Sequence, residues 1–239
     1  MNAAIIIAGG VGNRMGMDIP KQFIHIYDKP VIIYTLQGFQ RHPEIDKIGV
    51  VCLEGWEDTL RSYAREYGIT KLEWIIPGGS TGQESIRNGV NRFREELSDD
   101  DIVIIHDGIR PMVDSSVLSD VIRVCAKHGN GVTSTLFTEQ IFRANPDGAT
   151  TNEFIPRETV RKVATPQAYR YGTLHAAYEK AFKEEIGIYG SSYTNTMMVD
   201  LGYTLYLAAG SDKNIKLTTK DDLEMFKAYL KQDEDTWLK

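Results

Sequence analysis

Ala3-Ala4-Ile5-Ile6-Ile7-Ala8-Gly9-Gly10-Val11-Gly12-Asn13-Arg14-Met15 stands at the head of the chain, and Pro20-Lys21-Gln22 follows within one loop. The apolar run reads as a short buried strand. Its glycine-rich exit leaves bare backbone N–H groups at the carboxyl end of that strand, where open α/β sheets bind anionic ligands. Arg14 and Lys21 add two cations to the same edge. The arrangement suits a polyphosphate. It is neither common glycine motif. A dinucleotide fingerprint starting at Gly10 needs glycine where Met15 stands, and no Gly-Lys followed by Ser or Thr is present for a P-loop. A tight turn remains the alternative for the glycines alone.

Outward from this stretch, helix and strand patterns alternate. The spacing predicts strands over 48–53, 72–76, 101–106, 131–136 and 204–208. It predicts helices over 30–42, 57–67, 83–97, 115–128, 171–183 and 219–231. Ser115 reads as one helix cap, Gly129 as the stop of that helix, and Thr219 as another cap. Such alternation means an α/β fold: a Rossmann-like, mostly parallel sheet sandwiched by helices, with right-handed crossovers. One domain is expected over 1–239, with a β-arm at about 138–161. The arm rests on two β-like pieces joined by Asn145-Pro146-Asp147-Gly148. An irregular surface loop is its alternative.

Bulk properties narrow the classes. The 239 residues support a full core, and the net charge of −6 argues against a nucleic-acid binder. Cys52 and Cys125 lie in apolar runs without partners at metal spacing, so buried thiols are expected. No stretch approaches ~18 apolar residues, so no membrane span is expected. The first strand starts without a cationic leader, which points to a cytoplasmic location.

Polar groups at three further places complete a candidate site. His106-Asp107-Gly108-Ile109-Arg110-Pro111 ends the most apolar strand. A carboxylate there is too costly to leave unpaired in a core. Asp107 suits Mg²⁺ or sugar hydroxyls; an N-cap or an ion pair with Arg110 is the other reading. His106 reads as a packed neighbour rather than a ligand. Gly78-Gly79 with Ser85 reads as a turn that admits a planar base, or as a glycine turn with a serine cap. In Asn214-Ile215-Lys216, the lysine points away from the core, into solvent or into the cleft.

The set of Gly9-Gly10-x-Gly12-x-Arg14-Met15, Pro20-Lys21-Gln22, the turn with Ser85, His106-Asp107-x-x-Arg110-Pro111, Thr165-Pro166-Gln167 and Asn214-Ile215-Lys216 resembles the cytidylyltransferases that act on sugar-alcohol phosphates. That family includes the methylerythritol 4-phosphate enzyme of isoprenoid synthesis and the ribitol 5-phosphate enzyme of capsule and teichoic-acid synthesis. The resemblance covers nearly the whole chain. It implies CTP and a polyol phosphate as substrates, dependence on Mg²⁺, and a homodimer built through the arm. It implies catalytic roles for Arg14, Lys21 and Lys216. Ala8, Gly9, Gly10, Gly12, Gly79, Ser85 and Asp107 would bind the nucleotide. Asp107, Arg110, Arg157 and Ser192 would face the acceptor, with Arg157 reaching from the neighbouring subunit, and Asp107 would be the metal ligand.

Several positions depart from the methylerythritol branch. Thr81-Gly82-Gln83 stands where an arginine is common, and Gly108-Ile109 where two alanines are. Glu139-Gln140 replaces Asp-Thr, and Ser192-Tyr193-Thr194 replaces Thr-Asp-Glu. These departures resemble the ribitol phosphate branch, so ribitol 5-phosphate is the expected acceptor and methylerythritol 4-phosphate the alternative. Ala164 stands where glutamine is usual, and nothing in the sequence explains it. A nucleotide-sugar pyrophosphorylase and a non-catalytic nucleotide-binding module are the competing classes.

Overall fold

A computed structural model describes residues 1–10, 19–190 and 193–234. In chain order the first half contains β1 (Asn2–Ala8), β2 (His25–Ile26), β3 (Lys29–Pro30), α1 (Val31–Arg41), β4 (Lys47–Cys52), α2 (Glu57–Glu66), β5 (Leu72–Pro77) and α3 (Gly82–Arg92). Then come β6 (Ile102–Asp107), α4 (Ser115–His128), β7 (Asn130–Leu136), β8 (Ile141–Ala144), β9 (Thr151–Ile155) and β10 (Arg161–Arg170). The chain closes with α5 (Tyr171–Glu184), α6 (Thr194–Asp200), β11 (Leu207–Ala209) and α7 (Lys220–Glu234).

Seven strands form one sheet in the order β11-β7-β10-β6-β1-β4-β5. The apolar run of β1 lies in its interior, between β6 and β4 and parallel to both. Its side chains alternate. Ala4 and Ile6 join a cluster with Phe39, Leu60 and Leu118, from α1, α2 and α4. Ala3 and Ile5 face Val90, Leu174, Tyr178 and Met197, from α3, α5 and α6. A sheet covered on both faces explains why its central strands read as continuous hydrophobic runs. Cys52 and Cys125 are buried free thiols, as expected, and burial pushes both up to about 12.

The sheet is mostly parallel, with one insertion the pattern does not predict. β10 runs antiparallel between β6 and β7, and its register shifts between Val163 and Gln167, around the cis Thr165–Pro166 bond. A proline cannot donate to a ladder, so sequence pattern argues against a central strand here; the register shift accommodates it. Short α6 is likewise unpredicted. Boundaries also move. α3 stops at Arg92 instead of continuing to 97, and the late strand is Leu207–Ala209. Ser115 is the first helical residue of α4; its N-cap is Asp114, which makes no side-chain cap bond. Gly129 ends α4 at φ +91°, a left-handed position glycine takes without a Cβ penalty.

The expected hairpin is present: β8 and β9 pair antiparallel in a sheet of their own, with Phe142 opposite Phe154. α7 docks through Leu223 and Phe226 onto Ile26, Val31, Ile109 and Leu217. That contact brings the Asn214–Lys216 segment to the exit of β6. Among the described residues, no helix is long and apolar enough to cross a membrane.

Candidate active site

Parallel strands deliver their carboxyl ends to one sheet edge, and there the glycines that follow β1 and β5 approach each other across the end of β4. A Cβ on Gly9 would stand 3.6 Å from Gly78 Cα and 3.7 Å from Ser85 Oγ. On Gly79 it would lie 2.4 Å from Glu84 Cβ and 2.9 Å from Ser85 N, so no side chain fits that turn without moving backbone. Buried Ser85 Oγ accepts from Gly79 N–H at 3.0 Å. The helix cap is Thr81, whose Oγ1 accepts from Glu84 N–H at 3.1 Å. Glu84 in turn accepts from the Ser80 N–H at 2.8 Å and from its hydroxyl, a reciprocal arrangement related to a capping box. Ser85 therefore folds the turn rather than capping the helix.

The β1 exit is held by Gln22. Its buried Nε2 donates to Ala8 O at 2.7 Å and Gly10 O at 3.1 Å. Lys21 precedes it in a single 3₁₀ turn, half-buried. Lys21 lies close enough to act on Asp222. Burial pushes that carboxyl up; hydrogen bonds from the Thr218 and Thr219 N–H groups, assisted by the Lys21 charge, bring it below its ordinary value. Arg14, Gly12 and Ser192 lie outside the described residues.

Asp107 is the node of the site. Arg110 Nε donates to its Oδ2 at 2.8 Å and Lys216 Nζ to its Oδ1 at 3.0 Å. Its backbone N–H donates to Thr165 Oγ1 at 3.1 Å. Burial raises the Asp107 carboxyl, but the Lys216 and Arg110 charges outweigh it and hold the group below the usual carboxylate range. The ion pair with Arg110 is thus real, and Lys216 does point into the cleft. Arg110 is fixed further: Nη1 donates to Asn214 O at 2.8 Å, and its own carbonyl accepts from His106 Nε2 at 3.0 Å. Asn214 Nδ2 donates to Thr165 O at 2.6 Å. β6, β10 and the 214–217 segment are stitched together by these contacts.

His106 is fully buried beside the Phe39 ring, and burial pushes it down to about 4. It is a neutral packed neighbour, as expected, and no general base. With both Asp107 oxygens engaged by cations, and no group of three acidic, His or Cys side chains among the described residues, the protein offers no ready Mg²⁺ cage. The donor set does not fit a resident metal at Asp107 as placed.

Two clefts of about 240 and 310 Å³ share Asp107, Thr165, Gln167 and Tyr193. The first reaches Gly82 and Lys216; the second reaches Arg110 and Asn195. A third, of about 280 Å³, is bounded by Arg110, Lys162, Asp212, Lys216 and Asp222. Arg157 is not brought to any of them. It is exposed beyond β9 and donates to Thr138 O at 2.8 Å. Sequence reasoning missed Gln22, Thr165 and Tyr193 as shaping residues. The first two sit in the quoted Pro-Lys-Gln and Thr-Pro-Gln motifs, which were the available signal.

Residues 2–232 match the family model of 2-C-methyl-D-erythritol 4-phosphate cytidylyltransferase (IspD). A ribitol-5-phosphate cytidylyltransferase of Lacticaseibacillus paracasei is 59% identical over 98% of this chain and 100% of its own length. A 2-C-methyl-D-erythritol 4-phosphate cytidylyltransferase of Clostridium acetobutylicum is 36% identical over 97% of this chain and 98% of its own. Among solved structures, 4-diphosphocytidyl-2C-methyl-D-erythritol synthase from Anaerococcus prevotii superposes with a TM-score of 0.81 at 25% identity, covering 96% of each chain.

Proposed function

The chain belongs to the IspD family of cytidylyltransferases, and from that premise we propose that it transfers CMP from CTP to D-ribitol 5-phosphate, forming CDP-ribitol and pyrophosphate. The acceptor's phosphate is largely a dianion at neutral pH, because the second ionisation of a phosphate monoester falls near ~6. One of its oxygens attacks the α-phosphorus in line. That P–O bond forms as the bond to the β-phosphate oxygen breaks, and no proton has to be removed. Catalysis is then positioning and charge neutralisation.

The observation that carries the reading is the Asp107–Lys216–Arg110 cluster at the exit of β6, on the same sheet edge as the Gly79–Ser85 turn that follows β5, with β1 and β4 between them. Arg14 and Lys21 would hold the triphosphate. Lys216 would exchange Asp107 for the α-phosphate, leaving Asp107 free to accept from sugar hydroxyls. The glycine turn with Ser85 would receive cytosine, against the Ala8–Gly10 backbone. Mg²⁺ would supply further charge neutralisation on the triphosphate, because no group of three acidic, His or Cys side chains stands among the described residues to hold it. Arg110 and Ser192 would face the acceptor. Arg157 would reach it from a second subunit, with the exposed Phe142–Phe154 pair covered in a homodimer. The enzyme would work in the cytoplasm and feed synthesis of a teichoic-acid or capsule polymer.

Ribitol 5-phosphate is favoured over methylerythritol 4-phosphate by the 59% relative and by Thr81-Gly82-Gln83, Gly108-Ile109, Glu139-Gln140 and Tyr193-Thr194, described positions that depart from the methylerythritol pattern. The test is pyrophosphate release with Mg²⁺ and CTP, one acceptor at a time. Turnover with ribitol 5-phosphate and little with methylerythritol 4-phosphate is expected. The opposite preference overturns the acceptor. A preference for UTP with a sugar 1-phosphate overturns the class, and CTP binding without turnover on any acceptor would leave a binding module.

A further inference from the structure

We propose that Gln83 is a positioning residue that ties the base-recognition turn to the wall of the acceptor cleft. The proposal rests on the cytidylyltransferase reading above. Gln83 is the second residue of α3, the helix that begins at the glycine turn and carries Ser85. Its side chain faces away from that turn and is buried. Nε2 donates to Gly187 O at 3.0 Å and Tyr193 O at 3.2 Å. Both partners are carbonyls, so the amide orientation is fixed: Oε1 is the acceptor, and it takes the Tyr178 hydroxyl at 3.0 Å. Tyr178 Oη, its proton spent on Gln83, must accept from Thr194 Oγ1 at 2.8 Å. The result is a buried chain of one polarity, from Thr194 through Tyr178 and Gln83 to two loop carbonyls.

What the chain holds is the entry to α6. Gly187 sits at φ +65°, where a Cβ would also meet Met197 Cα at 2.8 Å, so this segment is seated directly on α6. Tyr193, pinned through its carbonyl, lines both clefts and lies with its ring 5.5 Å from Lys216 Nζ. A displacement of α3 by nucleotide would therefore be transmitted to Tyr193 through one amide. An apolar side chain of the same length would fill the space but hold neither carbonyl.

The test compares the full chain with Gln83→Met and Tyr178→Phe. Three quantities are measured: KM for ribitol 5-phosphate, KM for CTP, and hydrogen–deuterium exchange of the amides of 187–190 and 193–198 without substrates. For Gln83→Met a roughly tenfold rise in acceptor KM is expected, the scale of one buried hydrogen bond, with CTP KM changed by less than about threefold. Exchange in that segment should quicken. Tyr178→Phe should move the same quantities in the same direction by less, and it carries the test if Gln83→Met does not fold. Equal rises in both KM values, or exchange unchanged in both variants, overturn the proposal. If the wild type turns over no polyol phosphate, the functional reading fails on its own, and the exchange experiment still decides whether Gln83 anchors the segment.

Discussion

Asp107 holds two cations that the proposed chemistry needs elsewhere. Its carboxylate keeps Lys216 and Arg110 pointed into the cleft, one half-buried cation on each oxygen. Truncating Lys216 removes the group that would neutralise the α-phosphate and leaves Asp107 paired with Arg110. Lys216→Ala is expected to lower kcat by about 10²–10³-fold, the range for one electrostatic donor, with a small fall in melting temperature because Asp107 loses one of its two cations; steady-state kinetics beside thermal unfolding checks both. His106 makes a pH prediction. Its folded value of about 4 lies below the 6.5 of a free imidazole, so between the two the unfolded chain binds more protons. Stability therefore rises with pH across that window, by on the order of 3 kcal/mol in all. Asp107 acts in the same direction at lower pH, its depressed carboxyl stabilising the fold above the ordinary carboxylate range and ceasing to do so as pH falls through its folded value. Urea unfolding at pH 5 and pH 7.5 should show the difference, and His106→Gln should remove most of it.

At the scale of elements, the α3 entry decides whether the base turn forms. Gly79→Ala drives a Cβ into Glu84 and the Ser85 backbone. A loss of about 1–3 kcal/mol is expected, the cost of overpacking, together with weaker CTP binding by calorimetry. Thr81→Ala removes only the cap bond and should cost about 1 kcal/mol without affecting CTP. A larger effect on CTP from Thr81→Ala than from Gly79→Ala would contradict this division. The elements differ in how legible they are. β1, β4 and β6 are buried on both faces, so composition alone marks them. β10 is not readable, because its first residues are Arg161 and Lys162 and its centre holds Pro166. Only pairing with β6 and β7 makes it a strand. The same holds for α6, a seven-residue helix too short to show a periodic face.

At the scale of the whole molecule, the hairpin stands outside the seven-stranded sheet, its two strands paired with each other. Phe142 and Phe154 are 58% and 63% exposed and sit opposite one another. Light scattering at micromolar concentration should give twice the mass of one chain, and Phe142→Asp with Phe154→Asp should reduce it to one. If the acceptor is gripped across subunits, that double variant also loses turnover while still binding CTP. A monomeric wild type would remove Arg157 from the acceptor site.

The sequence by itself determined the class of fold, the sheet edge that carries the site, and most of the residue types gathered there. Each of these follows from local order: periodicity marks an element, and a parallel strand's end marks the edge. Only the tertiary structure decided how those residues use one another. Lys216 reaches Asp107 across 109 positions of chain, and Arg110 reaches Asn214 across 104. Gln83 finds its carbonyl partners just as far away. Such pairings depend on strand order and on the docking of α7 and α6, which are set by burial of long-range apolar contacts and leave no periodic trace in the chain.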